Sequence, residues 1–334
     1  MSNTKTFFDD ISCTRALLVI CIVLGHSFAI YTGGNAWPLP DGVAFEEFYK
    51  YINPAVISFH LQSFVFIAGF LFGAQMNRCV SGNIPFVLKK TKRILLPMFI
   101  FGILYICLFS PEMYSNGQWI HELCYGPGHL WFLPMLYLCY VSTKLCWPLL
   151  RVPSIIGFLL LSILSLLSWV IPATINIGGF FFYWIFFVQG AWLFGLKDYI
   201  LEKYNKNNII AILSVTTLVL ICIKCWAYYA DFSGRTPFLT CVRYILGGVG
   251  SITLLFMFNT LERKGVCLSR YRWNGWYGVY IYHQFILMIM YYDLQMVMVD
   301  SWLMPILYFF IALITSVILA QLSLMTKVGR FLIG

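Results

Sequence analysis

Residues Ile155–Val170 read IIGFLLLSILSLLSWV, a run with no ionisable group and no proline. Such a run cannot lie on a water-facing surface, where charge keeps a protein dispersed. Its neighbours are of the same kind. Across all 334 residues, 60% are hydrophobic and only 10% charged, against about 45–50% and 25% in soluble domains. The 30 Phe, 21 Tyr and 11 Trp also exclude a disordered chain, a coiled coil or a collagen-like repeat. The chain is expected to be an all-α, polytopic membrane bundle.

A helix needs about 17 to 25 apolar residues to cross the hydrocarbon layer. Cutting the sequence on that length predicts about ten transmembrane helices, near 12–31, 53–75, 94–111, 129–147, 154–172, 180–196, 209–230, 238–258, 274–293 and 303–324. Asp9 and Asp10 precede the first run, with no basic segment and no small-residue cleavage site, so that run reads as a retained span. An even count puts both termini on one side. With them in the cytoplasm, only Lys50, Lys224, Arg235 and Arg243 of the 22 Lys and Arg fall outside, which leaves 18 inside. The positive-inside rule then fixes both termini as cytoplasmic. Eight of the 13 acids (Asp41, Glu46, Glu47, Glu112, Glu122, Asp231, Asp293 and Asp300) fall on the outer side. The net charge of +9 therefore reports topology, and no nucleic-acid partner is expected. No hydrophilic stretch is long enough to fold alone, so residues 1–334 form a single membrane domain. Cys222 and Cys225 make the single CxxC, inside an expected span, where thiols pack as small hydrophobes. No metal site is expected.

Several polar groups stand where lipid-facing residues belong. Arg15 and His26 share the first span. Eleven steps of about 100° come within about 20° of three full turns, so the two side chains lie on one face, roughly 16 Å apart along the axis. Ionisable groups at membrane depth usually face a bundle interior or a watery cavity; the plainer alternative is an Arg15 that snorkels to the headgroups and a His26 bonded within a packed core. His60 opens the second span and His283 sits about ten residues into the ninth. The Gly126-Pro127-Gly128 turn delivers His129 and Trp131 to an outer interface, as an acceptor entrance or as part of an aromatic belt. Lys89, Lys90, Lys92 and Arg93 cluster at the inner face, where they either fix topology, attract anionic lipid or bind a phosphorylated cofactor. Lys224 and Arg243 either snorkel outward or meet an anionic acceptor. Gly69 beside Ala68 would let two helices approach closely.

Taken together these residues resemble the acyltransferase-3 family of bacterial integral membrane acyltransferases. Arg15 and His26 match its R-x10-H signature. Phe59, His60, Phe64, Phe66, Gly69 and Phe70 match its FHxxxFxFxxGF pattern, His129 to Leu133 its HLWFL element, and Gly278, Tyr280, Ile281, Tyr282 and His283 a late segment. Three departures stand out: Ser12 where the family often has Asp, Tyr282 directly beside His283, and Lys90 at the first position of an RxxR element ending at Arg93. The resemblance implies transfer of an acyl group, usually acetyl, from cytosolic acetyl-CoA to a hydroxyl of an envelope sugar or lipid-linked glycan, at the bacterial inner membrane. It implies that His26 is the general base or the acyl carrier, that Arg15 orients the donor, and that Lys89, Lys90, Lys92 and Arg93 hold its phosphates. His60, His129, Trp131 and His283 would then face the acceptor. A secondary transporter is the alternative, since an intramembrane Arg and His also suit substrate or proton passage.

Overall fold

The computed structural model describes residues 3–31, 47–78, 82–110, 117–171, 176–204, 206–266, 273–294 and 302–333. Arg270, Arg272, Asp41, Glu46, Glu112 and Asp300, used in the charge count, lie outside them. The described residues are helical throughout, with no strand among them. In chain order the helices are α1 (Asn3–Ala29), α2 (Glu47–Val56), α3 (His60–Arg78), α4 (Asn83–Lys90), α5 (Leu96–Phe109), α6 (Trp119–Tyr125), α7 (Phe132–Leu145) and α8 (Ile155–Leu166). They continue as α9 (Ile177–Tyr204), α10 (Asn207–Tyr229), α11 (Arg235–Arg263), α12 (Trp276–Met288), α13 (Met304–Met325) and α14 (Lys327–Ile333).

Each of the ten expected spans contains a helix. Seven of these are long and apolar enough to cross a membrane: 11–29, 51–77, 83–109, 177–204, 207–229, 235–263 and 304–325. The other three differ for physical reasons. α7 and α12 are short, mostly buried helices, α7 entered through a 3-10 turn at Gly128–Trp131 and α12 extended by a π turn at Ile289–Asp293. Protein surrounds them on most sides, and at 14 and 13 residues they are shorter than a full crossing needs. α8 ends at Leu166 and runs into a 3-10 turn, Ser168–Val170.

The tightest pairing in the bundle is α3 against α9. A Cβ on Gly69 would stand 1.8 Å from the Phe187 carbonyl oxygen, and one on Gly190 would stand 1.9 Å from that of Phe66. Two facing glycines therefore bring the backbones into contact, the small-residue mode of helix association in lipid. Above this seam Phe72 touches Phe86, Trp147 and Phe187, building an aromatic core. By contrast α8, α10 and α13 present Ile155, Ile212, Val215, Leu218 and Ile314 outward as a lipid-facing rim. α1 runs through the middle, packed on α3, α11, α12 and α13.

Pro97 shapes the segment between α4 and α5. It has no N–H for the fourth preceding carbonyl, and its ring crowds that carbonyl in a regular α-helix. The chain widens just before it into a π turn, Thr91–Leu95, closed by the Leu96 N–H on the Thr91 carbonyl. Thr91 Oγ1 pins the turn to the Val87 carbonyl at 3.0 Å and to the Tyr137 hydroxyl at 3.0 Å.

Candidate active site

A cavity of about 450 Å³ opens between α1, α3, the π turn, α7 and α12. Arg15, Val19 and Ile22 form its α1 wall, one stripe at helical spacing on the face expected for Arg15 and His26. The π turn turns Lys90 and Arg93 toward it, while Lys89 and Lys92 are exposed and do not line it. Lys90 Nζ lies 3.6 Å from the centre of the Tyr140 ring, a cation–π contact. Arg15 and Arg93 lie within electrostatic range of each other, and among the described residues no Asp or Glu lines the cavity. The cavity thus concentrates positive charge, which suits an anionic ligand. Trp276 Nε1 and the Tyr277 hydroxyl belong to residues of its wall and are buried without a hydrogen-bond partner among the described residues. Buried orphans of this kind mark a site whose ligand would complete them. A wider basin of about 670 Å³ shares Arg15, Leu71 and Asn274 with the cavity and adds Ser12, Trp273 and Gln321. Ser12, where the family often has Asp, therefore sits at the approach.

Beyond the cavity lies a cluster of three imidazoles. The rings of His26 and His283 are 5.1 Å apart, those of His129 and His283 4.9 Å, and those of His26 and His129 6.4 Å. Their hydrogen bonds fix the protons. His283 Nδ1 is 3.2 Å from the Val279 carbonyl, which can only accept, so Nδ1 carries the hydrogen and Nε2 the lone pair. That lone pair faces His26 Nδ1 at 3.2 Å, and Gln284 Oε1 faces the same nitrogen at 2.5 Å. His26 Nδ1–H therefore donates to both. Its Nε2 keeps a lone pair with no protein partner among the described residues.

His129 arrives by a turn that needs its glycines. Gly126 has φ 96° and Gly128 φ 55°, and a Cβ on either would stand 2.7 Å from the Trp131 backbone or the Tyr105 ring. Asn176, itself at φ 58°, locks the turn from behind through 2.7 and 3.0 Å bonds from its amide to the Tyr125 and Trp131 carbonyls. The Tyr280 hydroxyl donates to the His129 carbonyl at 2.6 Å. With Phe64 and Phe132, the Tyr280 ring makes the inner end of the cavity. His26 does not line the cavity. It stands one turn beyond Ile22, about 6 Å along the helix, behind this aromatic end wall.

The structure thus brings Arg15, Lys90 and Arg93 to one cavity and His26, His129 and His283 to one cluster beside it. His60 is buried at the start of α3, with Nδ1 unpartnered among the described residues, within electrostatic range of His26. Trp131 packs on Phe132 and Tyr183, with ring centres 6.2 and 6.3 Å away. Sequence reasoning missed Gln284, whose only sequence signal is a polar residue next to His283, and missed Tyr140, Trp276, Tyr277 and Tyr280 as parts of the site. Among the described residues no group of three or more His, Cys, Asp or Glu is arranged to hold a metal ion.

In comparisons with curated proteins and with solved structures, nothing matches. The family model described as an acyltransferase domain matches residues 8–325, nearly the whole chain, including Arg15 and every histidine of the cluster. The chain belongs to the acyltransferase-3 family of membrane acyltransferases.

Proposed function

We propose that the protein is an O-acyltransferase of the bacterial inner membrane that moves an acetyl group from cytosolic acetyl-CoA to a hydroxyl of a cell-envelope sugar. The observation that carries this reading is a cavity lined by cations, with no carboxylate among the described residues of its wall, ending one helical turn from a histidine whose Nε2 is held ready to take a proton. The 18-to-4 division of Lys and Arg supports placing that cavity on the cytoplasmic side, where the donor is made.

The residues present fit the donor. Arg15, Lys90 and Arg93 would meet its phosphates, and the orphaned Trp276 N–H and Tyr277 hydroxyl would bond the amides of its arm. The donor supplies an activated thioester. His26 Nε2 takes the proton of the acceptor hydroxyl as the new carbon–oxygen bond forms, and returns it to sulfur as the carbon–sulfur bond breaks. Gln284 Oε1 and the His283 lone pair both face His26 Nδ1–H, so they hold the ring in register and stabilise the imidazolium that forms between those steps. The reading requires the Phe64, Phe132 and Tyr280 wall to part when both substrates are bound. His129, His60 and Trp131 would border the acceptor's route.

The test compares envelope glycans from cells with and without the chain by mass spectrometry and NMR. An added acetyl group that depends on the chain, and that disappears with His26→Gln while the variant still accumulates in the membrane, is the expected result. Identical glycans in the two strains reject the reading.

A further inference from the structure

A second cationic site lies away from the donor cavity, near the connection between α10 and α11. Lys224 comes five residues before the end of α10 and Arg243 eight after the start of α11, so both stand about 8 to 12 Å inside from that connection. Lys224 does not behave as a snorkelling residue. Lys224 is 6% exposed, and its Nζ donates to the Pro54 carbonyl at 2.9 Å in the interior. The Arg243 guanidinium lies 4.8 Å from the centre of the Phe182 ring. The two cations are within electrostatic range of each other and of His60. No carboxylate pairs with either among the described residues, where the recorded ion pair is Lys197 with Asp198.

A buried lysine with a half-buried arginine beside it and no counter-charge is costly in a low-dielectric interior. Beside them, His60 Nδ1 and Asn53 Oδ1 are buried without partners among the described residues, each on a residue 8% exposed. The helix carrying Lys224 is the least buried of the seven spanning helices, so the site borders lipid. The exposed face of that helix gives an anion carried on a lipid a lateral route to this depth.

We infer that Lys224, Arg243 and His60 form a recognition site for a phosphate group carried on a membrane lipid. This lipid delivers the acceptor hydroxyl to His26 from the side opposite the donor cavity; that last step rests on the acyl-transfer reading, whereas the phosphate site does not. Two cations and an imidazole suit a phosphate ester through charge-assisted hydrogen bonds. Gly25, the neighbour of His26, packs on Ile57 in the segment that leads into His60, which joins this site to the imidazole cluster.

The test uses the full chain in phosphatidylcholine nanodiscs, with a long-chain polyprenyl phosphate, the matching polyprenol, phosphatidylglycerol and inorganic phosphate as probes, and binding read by native mass spectrometry. The wild type should hold the polyprenyl phosphate at least about tenfold more tightly than the polyprenol, and Lys224→Met or Arg243→Met should erase that difference. Lys224→Arg and Arg243→Lys should keep it, and a wild-type melting temperature in the same samples shows that each variant is folded. Equal binding of phosphate and alcohol, or full retention by both Met variants, overturns the site. Displacement by equimolar inorganic phosphate overturns the lipid as its source, and equal binding of phosphatidylglycerol overturns its role as the acceptor's carrier. His26→Gln should leave the lipid affinity unchanged, so a failure of acyl transfer is read separately from a failure of this site.

Discussion

Replacing Gln284 with Leu tests whether the proton arrangement at His26 matters, with little change in volume at a buried position. The amide oxygen is the shorter of two acceptors for His26 Nδ1–H, at 2.5 Å against 3.2 Å to His283 Nε2. A neutral hydrogen bond contributes about 0.5–1.5 kcal/mol net, so its loss should lower the share of His26 with a bare Nε2, and kcat with it, about two- to tenfold. Full loss of the base, as in His26→Gln, should cost about 10²- to 10⁴-fold. The assay is transfer of labelled acetyl from acetyl-CoA by protein reconstituted in liposomes, with kcat and KM resolved. KM for acetyl-CoA should stay constant, because Gln284 does not line the cavity that holds Arg15 and Lys90. Gln284→Glu, which keeps an acceptor, should restore most of the rate. The double variant should be no slower than His26→Gln alone, since the amide acts through the imidazole. An unchanged kcat in Gln284→Leu, or a loss that persists undiminished on the His26→Gln background, would refute the reasoning.

Three further outcomes follow from the geometry. Arg15→Gln and Lys90→Met should each raise the dissociation constant for acetyl-CoA about tenfold or more, as loss of a charge-assisted contact implies, whereas Lys89→Ala should leave it within about twofold; isothermal calorimetry reads both, and equal effects at positions 89 and 90 contradict the cavity. Trp276→Phe removes a buried donor that has no partner among the described residues, so it should raise the melting temperature of the ligand-free protein while weakening acetyl-CoA binding; a lower melting temperature with unchanged binding speaks against a role for the indole. Gly69→Leu forces a side chain into the Phe187 backbone and should destabilise the bundle by about 1–3 kcal/mol or more, seen as lost monodisperse protein on size-exclusion chromatography; wild-type yield and stability would show that the α3–α9 seam can open.

What the sequence made legible is what one helix can state by itself. The Arg15–His26 spacing placed both on one face, and α1 runs unbroken through them. The apolar runs located a helix for every expected span, and Gly69 marked the closest helix contact. What it hid depends on contacts between distant segments. Gln284 and His283 reach His26 across more than 250 residues, and Tyr280 closes the cavity through a bond to His129. The four-residue basic cluster looked uniform as letters. Pro97 widens the helix ahead of it, and the turn divides the cluster into Lys90 and Arg93 facing the cavity and Lys89 and Lys92 facing out. Lys224 looked like a snorkelling residue because its partner, the Pro54 carbonyl, belongs to a helix 170 positions away.

Purified protein in liposomes, given acetyl-CoA labelled in the acetyl group and a lipid-linked glycan acceptor, provides the most direct measurement. The account predicts label on the glycan in a time course that is abolished by His26→Gln, with acetyl-CoA binding and the melting temperature of the variant matching wild type. Label transferred at the wild-type rate by the variant, or acetyl-CoA left unconsumed by the wild type in the presence of the acceptor, would contradict it.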